Sequence, residues 1–270
     1  MTMRWEELTG DTFPEEVERC GGVCLVALSV LERHGHHLPL GTDMYQGRAV
    51  LERAAQLEPA ILFPDHVYTQ ISEARHLPGT ISLDGDVVLA LLENVCREIA
   101  RNGLKKIVLV NAHGGNRNLI PYFLGRQRER RRDYVVYGIS GVGGGQGGQR
   151  PEVPWDRAVD GHAGPGETSM MLAIRPDLVH LDRVPAGEEW RPRGRLQALR
   201  EAGAETGMFW YADYPTHYAG DAHPATAEAG ERLLDARAAV IARAVRAVKA
   251  DSETARLQGT FYAGAEHPAL

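Results

Sequence analysis

Three kinds of potential metal ligand crowd into one short run near the start of the chain, Glu32-Arg-His34-Gly-His-His-Leu-Pro-Leu-Gly-Thr-Asp43. A carboxylate and an imidazole two residues apart point the same way along extended chain, so Glu32 and His34 can reach one cation or a close pair. Asp43 then arrives across a proline-stiffened loop. Carboxylate plus imidazole suits Zn, Mn or Fe better than Ca, which takes oxygen alone, and better than thiolate chemistry. A solvated histidine-rich loop would explain any one of these residues. It is a poorer account of all of them together, directly after an apolar strand.

Two further clusters carry groups of the same chemistry. His113 is followed by Gly114 and Gly115, which permit close backbone approach, and makes a good fourth ligand; its plain alternative is a turn histidine. His162 and Glu167 sit five residues apart in His162-Ala-Gly-Pro-Gly-Glu167. Glu167 falls in the first turn of an expected helix, where its charge complements the dipole whether or not it binds anything. His162 titrates near neutrality and could serve as a general acid or base. The run Gly143 to Gly148 matches G-x-G-x-x-G only formally, because Pro151 and Pro154 stand where a pyrophosphate-binding helix would begin. It reads instead as a mobile loop over the site. Ser140 and Ser169 form no G-x-S-x-G elbow, and the cysteines have no obvious base, so a protein nucleophile is not supported. The aromatic stretch Tyr211 to Tyr218 reads as pocket lining, an oligomer contact or simple packing.

The elements that must position these groups follow from periodicity. Val23 to Val30 is continuously apolar, like a parallel strand covered on both faces. A helix is expected over 44 to 57 and a short buried strand over Pro59 to Phe63. A helix from Asp84 to Gly103 carries Val87, Leu91, Val95 and Ile99 on one stripe. Lys106 to Asn111 reads as a strand, followed by a tight loop and a helix to about Arg132. Asp133 to Ser140 reads as another strand, Glu167 to Ile174 as a helix, and Pro224 to Ala250 as a long helix. Alternating strands and helices predict an α/β fold, a three-layer α/β/α sandwich with a mostly parallel central sheet. Such sheets bind ligands at the carboxyl ends of their strands, where all three clusters would converge. No linker-like stretch divides the chain, so residues 1 to 270 are expected to form a single domain.

Composition excludes other classes. At 270 residues, 43% hydrophobic and 24% charged, the chain is an ordinary globular sequence. A formal net charge of −6 leaves no excess of Lys and Arg for phosphates or anionic lipid, so neither a nucleic-acid nor a membrane partner is expected. Cys20, Cys24 and Cys96 form no disulfide framework, the first residues do not read as a signal peptide, and no apolar run spans a bilayer. A cytoplasmic protein acting on a small molecule fits best.

At this point the residues resemble the creatininase (creatinine amidohydrolase) family. The run Glu32 to Asp43 looks like its E-x-H-G-x-H-L-P-L-x-T-D signature. His76-Leu-Pro-Gly-Thr80, Asn111-Ala-His-Gly-Gly-Asn116 and His162-Ala-Gly-x-x-Glu-Thr-Ser169 look like three more motifs, in the family's order, over roughly residues 20 to 250. The resemblance implies a creatininase-like three-layer fold and two divalent metal ions per chain (Zn, Mn or Fe). It also implies hydrolysis of amide-type C–N bonds other than peptide bonds by a metal-activated water, and a homo-oligomer, commonly a hexamer. Carried over, Glu32 and His113 would hold one metal, His34 the second, and Asp43 would bridge them; His162 matches the catalytic histidine. His76, Gly114 and Gly115 fall on motif positions and are expected to contact the substrate.

The sequence departs from creatinine-hydrolysing members twice. Gly115 stands where they carry an acid that binds the second metal, and Ala158 stands where they carry a tryptophan that closes over the substrate. Glu167 is available to replace the acid as ligand or catalytic group, the second metal site then being the weaker one, and Trp155 is available to replace the lid. An amide, lactam or formamide other than creatinine is therefore expected. Hydrolysis of a cyclic ketone or lactone by the same site, or a silent ligand-binding homologue, are the alternatives.

Overall fold

The computed structural model describes residues 3–139 and 151–268. Ser140 and the run Gly143 to Gly148, with its expected role as a loop over the site, lie outside the described residues.

The expected strands form around one nucleus. Strands β1 (Val23–Leu28), β2 (Ile61–Leu62), β3 (Lys106–Asn111) and β4 (Val135–Ile139) make a sheet in the order β2-β1-β3-β4. Every pairing is parallel. The helices, in chain order, are α1 (Phe13–Arg19), α2 (Thr42–Leu57), α3 (Gly85–Arg101), α4 (Leu119–Arg126), α5 (Pro165–Ile174), α6 (Gln197–Glu201), α7 (Phe209–Asp213), α8 (Ala227–Ala250) and α9 (Glu253–Glu266). The pleat sorts the apolar run of β1 between two cores. Val23 and Leu25, with Val108 and Val110 of β3, pack with Val50 and Ala54 of α2 and Leu234, Ile241 and Val245 of α8. Cys24, Val26 and Leu28, with Ile107 and Leu109, pack with Leu92, Cys96 and Ile99 of α3 and Phe123 of α4. Helix layers therefore cover both faces, and the fold is a three-layer α/β/α sandwich.

Several boundaries differ from the periodicity. Helix α3 buries Val88, Leu92, Cys96 and Ile99, and leaves Val87 half exposed at 51%. Its apolar face is wider than one stripe, and contact with the sheet selects the row one residue along. Helix α4 ends at Arg126 rather than Arg132, because the following Gln-Arg-Glu-Arg-Arg-Arg run offers the core almost nothing apolar. Helix α8 starts at Ala227, three residues after the expected start at Pro224, because Thr226 caps it by accepting the Ala229 N–H at 3.2 Å. Cys20, Cys24 and Cys96 are free and buried, and burial pushes the Cys96 thiol up to about 12. Among the described residues no helix is long and apolar enough to cross a membrane.

Two features of this frame place the site. The chain leaves β1 for α2 on one face and leaves β3 for α4 on the other, so the carboxyl ends of these neighbouring strands open a crevice at the topological switch point. At Gly230 of α8 the backbone of α5 approaches without an intervening side chain. A methyl group at Gly230 would lie 1.9 Å from the Ser169 carbonyl oxygen, so only glycine allows that approach.

Candidate metal centre

Each motif delivers its side chain to the crevice by a different local device. After β1 the loop is pinned by the Glu32 N–H donating to the Leu40 carbonyl at 3.1 Å. Asp43 follows in the first turn of α2, where its charge complements the helix dipole. His113 leaves β3 with its backbone N–H donating to Asn111 Oδ1 at 3.1 Å. At the start of α5 the chain turns sharply through Ala163, a non-glycine residue at φ 55°. Its N–H donates to Glu167 Oε2 at 2.7 Å, which fixes that carboxylate beside His162.

Glu32, His34, Asp43 and His113 are all buried, and Glu167 and His162 close the open side. Asp43 faces two imidazoles with separate oxygens: Oδ1 lies 3.3 Å from His34 Nε2 and Oδ2 lies 3.1 Å from His113 Nδ1. Glu32 Oε1 lies 2.8 Å from His113 Nδ1, and Glu167 Oε2 lies 3.6 Å from His34 Nε2. Two ligand groups result, Glu32 with Asp43 and His113, and His34 with His162 and Glu167; within each, one atom per residue lies within 4.8 Å of the others. A third group of that kind, Glu32 with His162 and His217, shares members with both. Glu32 Oε1 and His34 Nε2 are buried without a well-aligned hydrogen bond, and both are atoms of the type a divalent ion takes. The donor set therefore fits Zn, Mn or Fe, as the sequence indicates.

Outer hydrogen bonds decide which imidazole nitrogen is offered inward. His34 Nδ1–H donates to the Glu32 carbonyl at 3.2 Å, so in the neutral ring Nε2 presents its lone pair to the carboxylates. His162 Nε2–H donates to the Arg33 carbonyl at 2.7 Å, leaving Nδ1 unprotonated toward the crevice. His217 is wired the other way. The Trp210 indole can only donate, and it donates to His217 Nδ1 at 2.7 Å, so the His217 proton sits on Nε2 and is given to Glu32 Oε2. His217 thus orients a ligand, and the third group is not a set of three free donors.

The electrostatics call for positive charge at the centre. Burial alone would lower the pKa of His34, yet Asp43, Glu167 and Glu32 raise it to about 9. Burial likewise opposes protonation of His113, but Glu32 above all holds it well above the ordinary imidazole range. Burial would raise the Glu32 carboxyl, and the facing histidines His113 and His162 keep it well below the usual range instead. Protons on His34 and His113 stand where cations would. Glu167 is raised to about 7, by burial first and by Asp43 as well. His162 is held well below its ordinary value by burial, with His34 and His217 adding to it, so it is neutral at pH 7.

The remaining expected site residues lie at differing distances from this centre. Trp155 is placed in the apolar core among residues such as Met170, Ala229 and Leu233, not beside the imidazoles. The tryptophan near the centre is Trp210, whose ring centroid is 6.0 Å from that of His162. His76 is exposed and donates to the Pro215 carbonyl at 2.9 Å, with Tyr211 edge-on at 4.8 Å. Gly114 and Gly115 lie in a short 3-10 turn after His113. Sequence reasoning assigned no role to His217, Trp210 or Glu73. The first two lie in or beside the aromatic stretch that reads equally well as packing, and Glu73 stands three residues before His76 in no motif.

A doubly covered parallel sheet with clustered carboxylates and imidazoles at its switch point defines a hydrolase-like metal-ligand centre. The family model for creatininase (creatinine amidohydrolase) matches residues 6–245. Creatinine amidohydrolase of Pseudomonas putida is 34% identical over 205 residues, 66% of this chain and 74% of that protein. The mycofactocin precursor peptide peptidase of Mycobacterium ulcerans (strain Agy99) is 33% identical over 219 residues, 78% of this chain and 79% of its own. A crystal structure of creatinine amidohydrolase superposes with a TM-score of 0.72 at 27% identity, covering 93% of this chain and 99% of that one. Creatininases solved in a zinc–zinc form (27% identity, TM-score 0.70) and with manganese (26%, 0.69) each cover 93% of this chain and all of their own. The chain belongs to the creatininase family, and it is a hydrolase of that family.

Proposed function

We propose that the protein is a metal-dependent amidohydrolase that cleaves an amide, lactam or formamide C–N bond of a small molecule other than creatinine. One observation carries this reading: Asp43 turns its two oxygens to two different imidazoles, within a buried set of acids and histidines that favours positive charge. Glu32, Asp43 and His113 would hold one divalent ion, and His34, Asp43 and Glu167 the second. When bound, the ions supply Lewis acidity and lower the pKa of water toward neutrality. His162 accepts the proton of the attacking water at Nδ1, because that atom is free and the ring is neutral. The same atom then returns the proton to the departing nitrogen as the C–N bond breaks, a role worth typically about 10²–10⁴-fold. His217 and Trp210 keep the Glu32 carboxylate oriented throughout. Gly114, Gly115 and His76 are the proposed substrate contacts.

Gly115 and Ala158, at the positions of the acid and the lid tryptophan of creatinine-hydrolysing members, support a substrate other than creatinine. The peptidase relatives also bring a peptide amide into consideration. The test is metal content by elemental analysis together with a panel of lactams, formamides, short peptides, creatinine and lactones. Turnover of a C–N substrate that is lost on chelation and restored by Zn or Mn is the expected result. A protein that binds no divalent ion, or one that hydrolyses only lactones, would overturn the assignment. A homo-oligomer is proposed from the family likeness, and sedimentation would establish its order.

A further inference from the structure

We infer that Glu73 is a positioning residue of the metal centre: its carboxylate faces the outer nitrogen of His113, would accept the N–H there once a metal takes Nδ1, and fills the space that a side chain at position 115 would need. His113 turns Nδ1 to Glu32 Oε1 at 2.8 Å and to Asp43 Oδ2 at 3.1 Å. A neutral imidazole that gives its Nδ1 lone pair to a cation carries its proton on Nε2. That nitrogen is buried without a hydrogen bond of good geometry, and the carboxylate facing it is Glu73, with Oε1 at 3.7 Å. The other oxygen of Glu73 accepts the Gln70 side-chain N–H at 2.5 Å, so the acid is itself held in place. A ligating histidine whose second nitrogen is tied to a carboxylate keeps its tautomer and direction and is a stronger base toward the metal.

Gly115 makes this arrangement possible. A methyl group there would lie 2.4 Å from Glu73 Oε1, 2.5 Å from Gln70 Oε1 and 2.5 Å from His113 Nε2. An acid at 115 and the observed place of Glu73 are therefore mutually exclusive. The glycine at this position is not simply a missing ligand. It gives room to a carboxylate that arrives from a separate segment, the short turn Ser72–Ala74, and acts through His113 instead of on the ion.

The inference rests on His113 being a ligand, and the experiment separates the two. Wild type, E73Q, E73A, G115A, E73A/G115A and H113A are prepared metal-free, checked by circular dichroism and thermal melting, and titrated with zinc against a chromophoric chelator. E73A is expected to weaken the affinity by about 10- to 100-fold, with E73Q, which keeps the shape and a neutral acceptor, in between. G115A is expected to match E73A, and the double variant to be no weaker than either. In nitrogen-15 spectra of the zinc-loaded protein, the His113 Nε2–H signal present in wild type should be lost in E73A. Wild-type affinity in E73A, where H113A loses zinc, would overturn the role of Glu73, as would additive effects of E73A and G115A. Undiminished zinc binding in H113A would overturn the metal assignment beneath it.

Discussion

His34 and His66 are almost equally buried and lie on neighbouring segments at the carboxyl edge of the sheet, yet their environments drive them in opposite directions. Burial alone acts on His66, and its pKa falls to about 4. Burial acts on His34 as well, but Asp43, Glu167 and Glu32 surround its inner nitrogen and raise it to about 9. The flank of the crevice is built for a neutral ring and its centre for positive charge. What separates a ligand-bearing centre from a merely buried one is the set of carboxylates aimed at it, together with the partner that fixes each outer nitrogen. His217 makes the same point within the site, since the Trp210 indole turns it from a ligand into a donor.

The contrast can be broken at the centre first. Asp43→Asn keeps the shape but removes the shared charge, and both metal stoichiometry and kcat/KM should fall, the latter by roughly 10³-fold or more. Elemental analysis beside steady-state kinetics reads both. His162→Ala should leave the ions bound and lower kcat by about 10²–10⁴-fold, because proton transfer at Nδ1 is lost. Retained metal with lost turnover distinguishes it from the Asp43 variant. His217→Gln should weaken metal binding by about 10-fold or more, since Glu32 loses its orienting donor, and Trp210→Phe should do so to a smaller extent by freeing the His217 tautomer. Competition titrations would rank them.

The smallest effect lies on the flank. His66 takes up a proton more readily when unfolded, near pH 6.5, than when folded, near 4. Its contribution to stability is thus complete above about pH 6.5 and declines as pH falls toward 4, at up to about 1.4 kcal/mol per pH unit. Urea unfolding between pH 4.5 and 7 should show a shallower slope in His66→Gln than in the wild type.

The legible part of the molecule was the part written as contiguous motif. Val23 to Leu28 and Lys106 to Asn111 declared themselves as buried strands because both faces are covered, and the groups that follow them are short-range features. Glu32, His34, Asp43, His113, His162 and Glu167 are brought together because parallel topology gathers the carboxyl ends of strands at one edge. The parts that escaped depend on single long-range contacts. Nothing local distinguishes Trp155, which packs in the core, from Trp210, which abuts His162. Glu73 carries no sign of its role until the chain folds it against Gly115. The buried row of α3 runs one residue along from the expected stripe at Val88, Leu92 and Cys96 and meets it again at Ile99, because Val87 and Val88, like Leu91 and Leu92, are interchangeable until the sheet selects a row.

The bare contact between α5 and α8 at Gly230 gives the long helix mechanical purchase on the chemistry. One end of that helix presses on the backbone two residues beyond Glu167, and at the other end the carbonyls of Val248 and Lys249 accept the Lys106 ammonium at the start of β3. At that contact no side chain separates the two backbones, so the position of α8 constrains the segment that carries Glu167. The alignment of the catalytic edge is thereby tied to anchoring at the opposite end of the sheet.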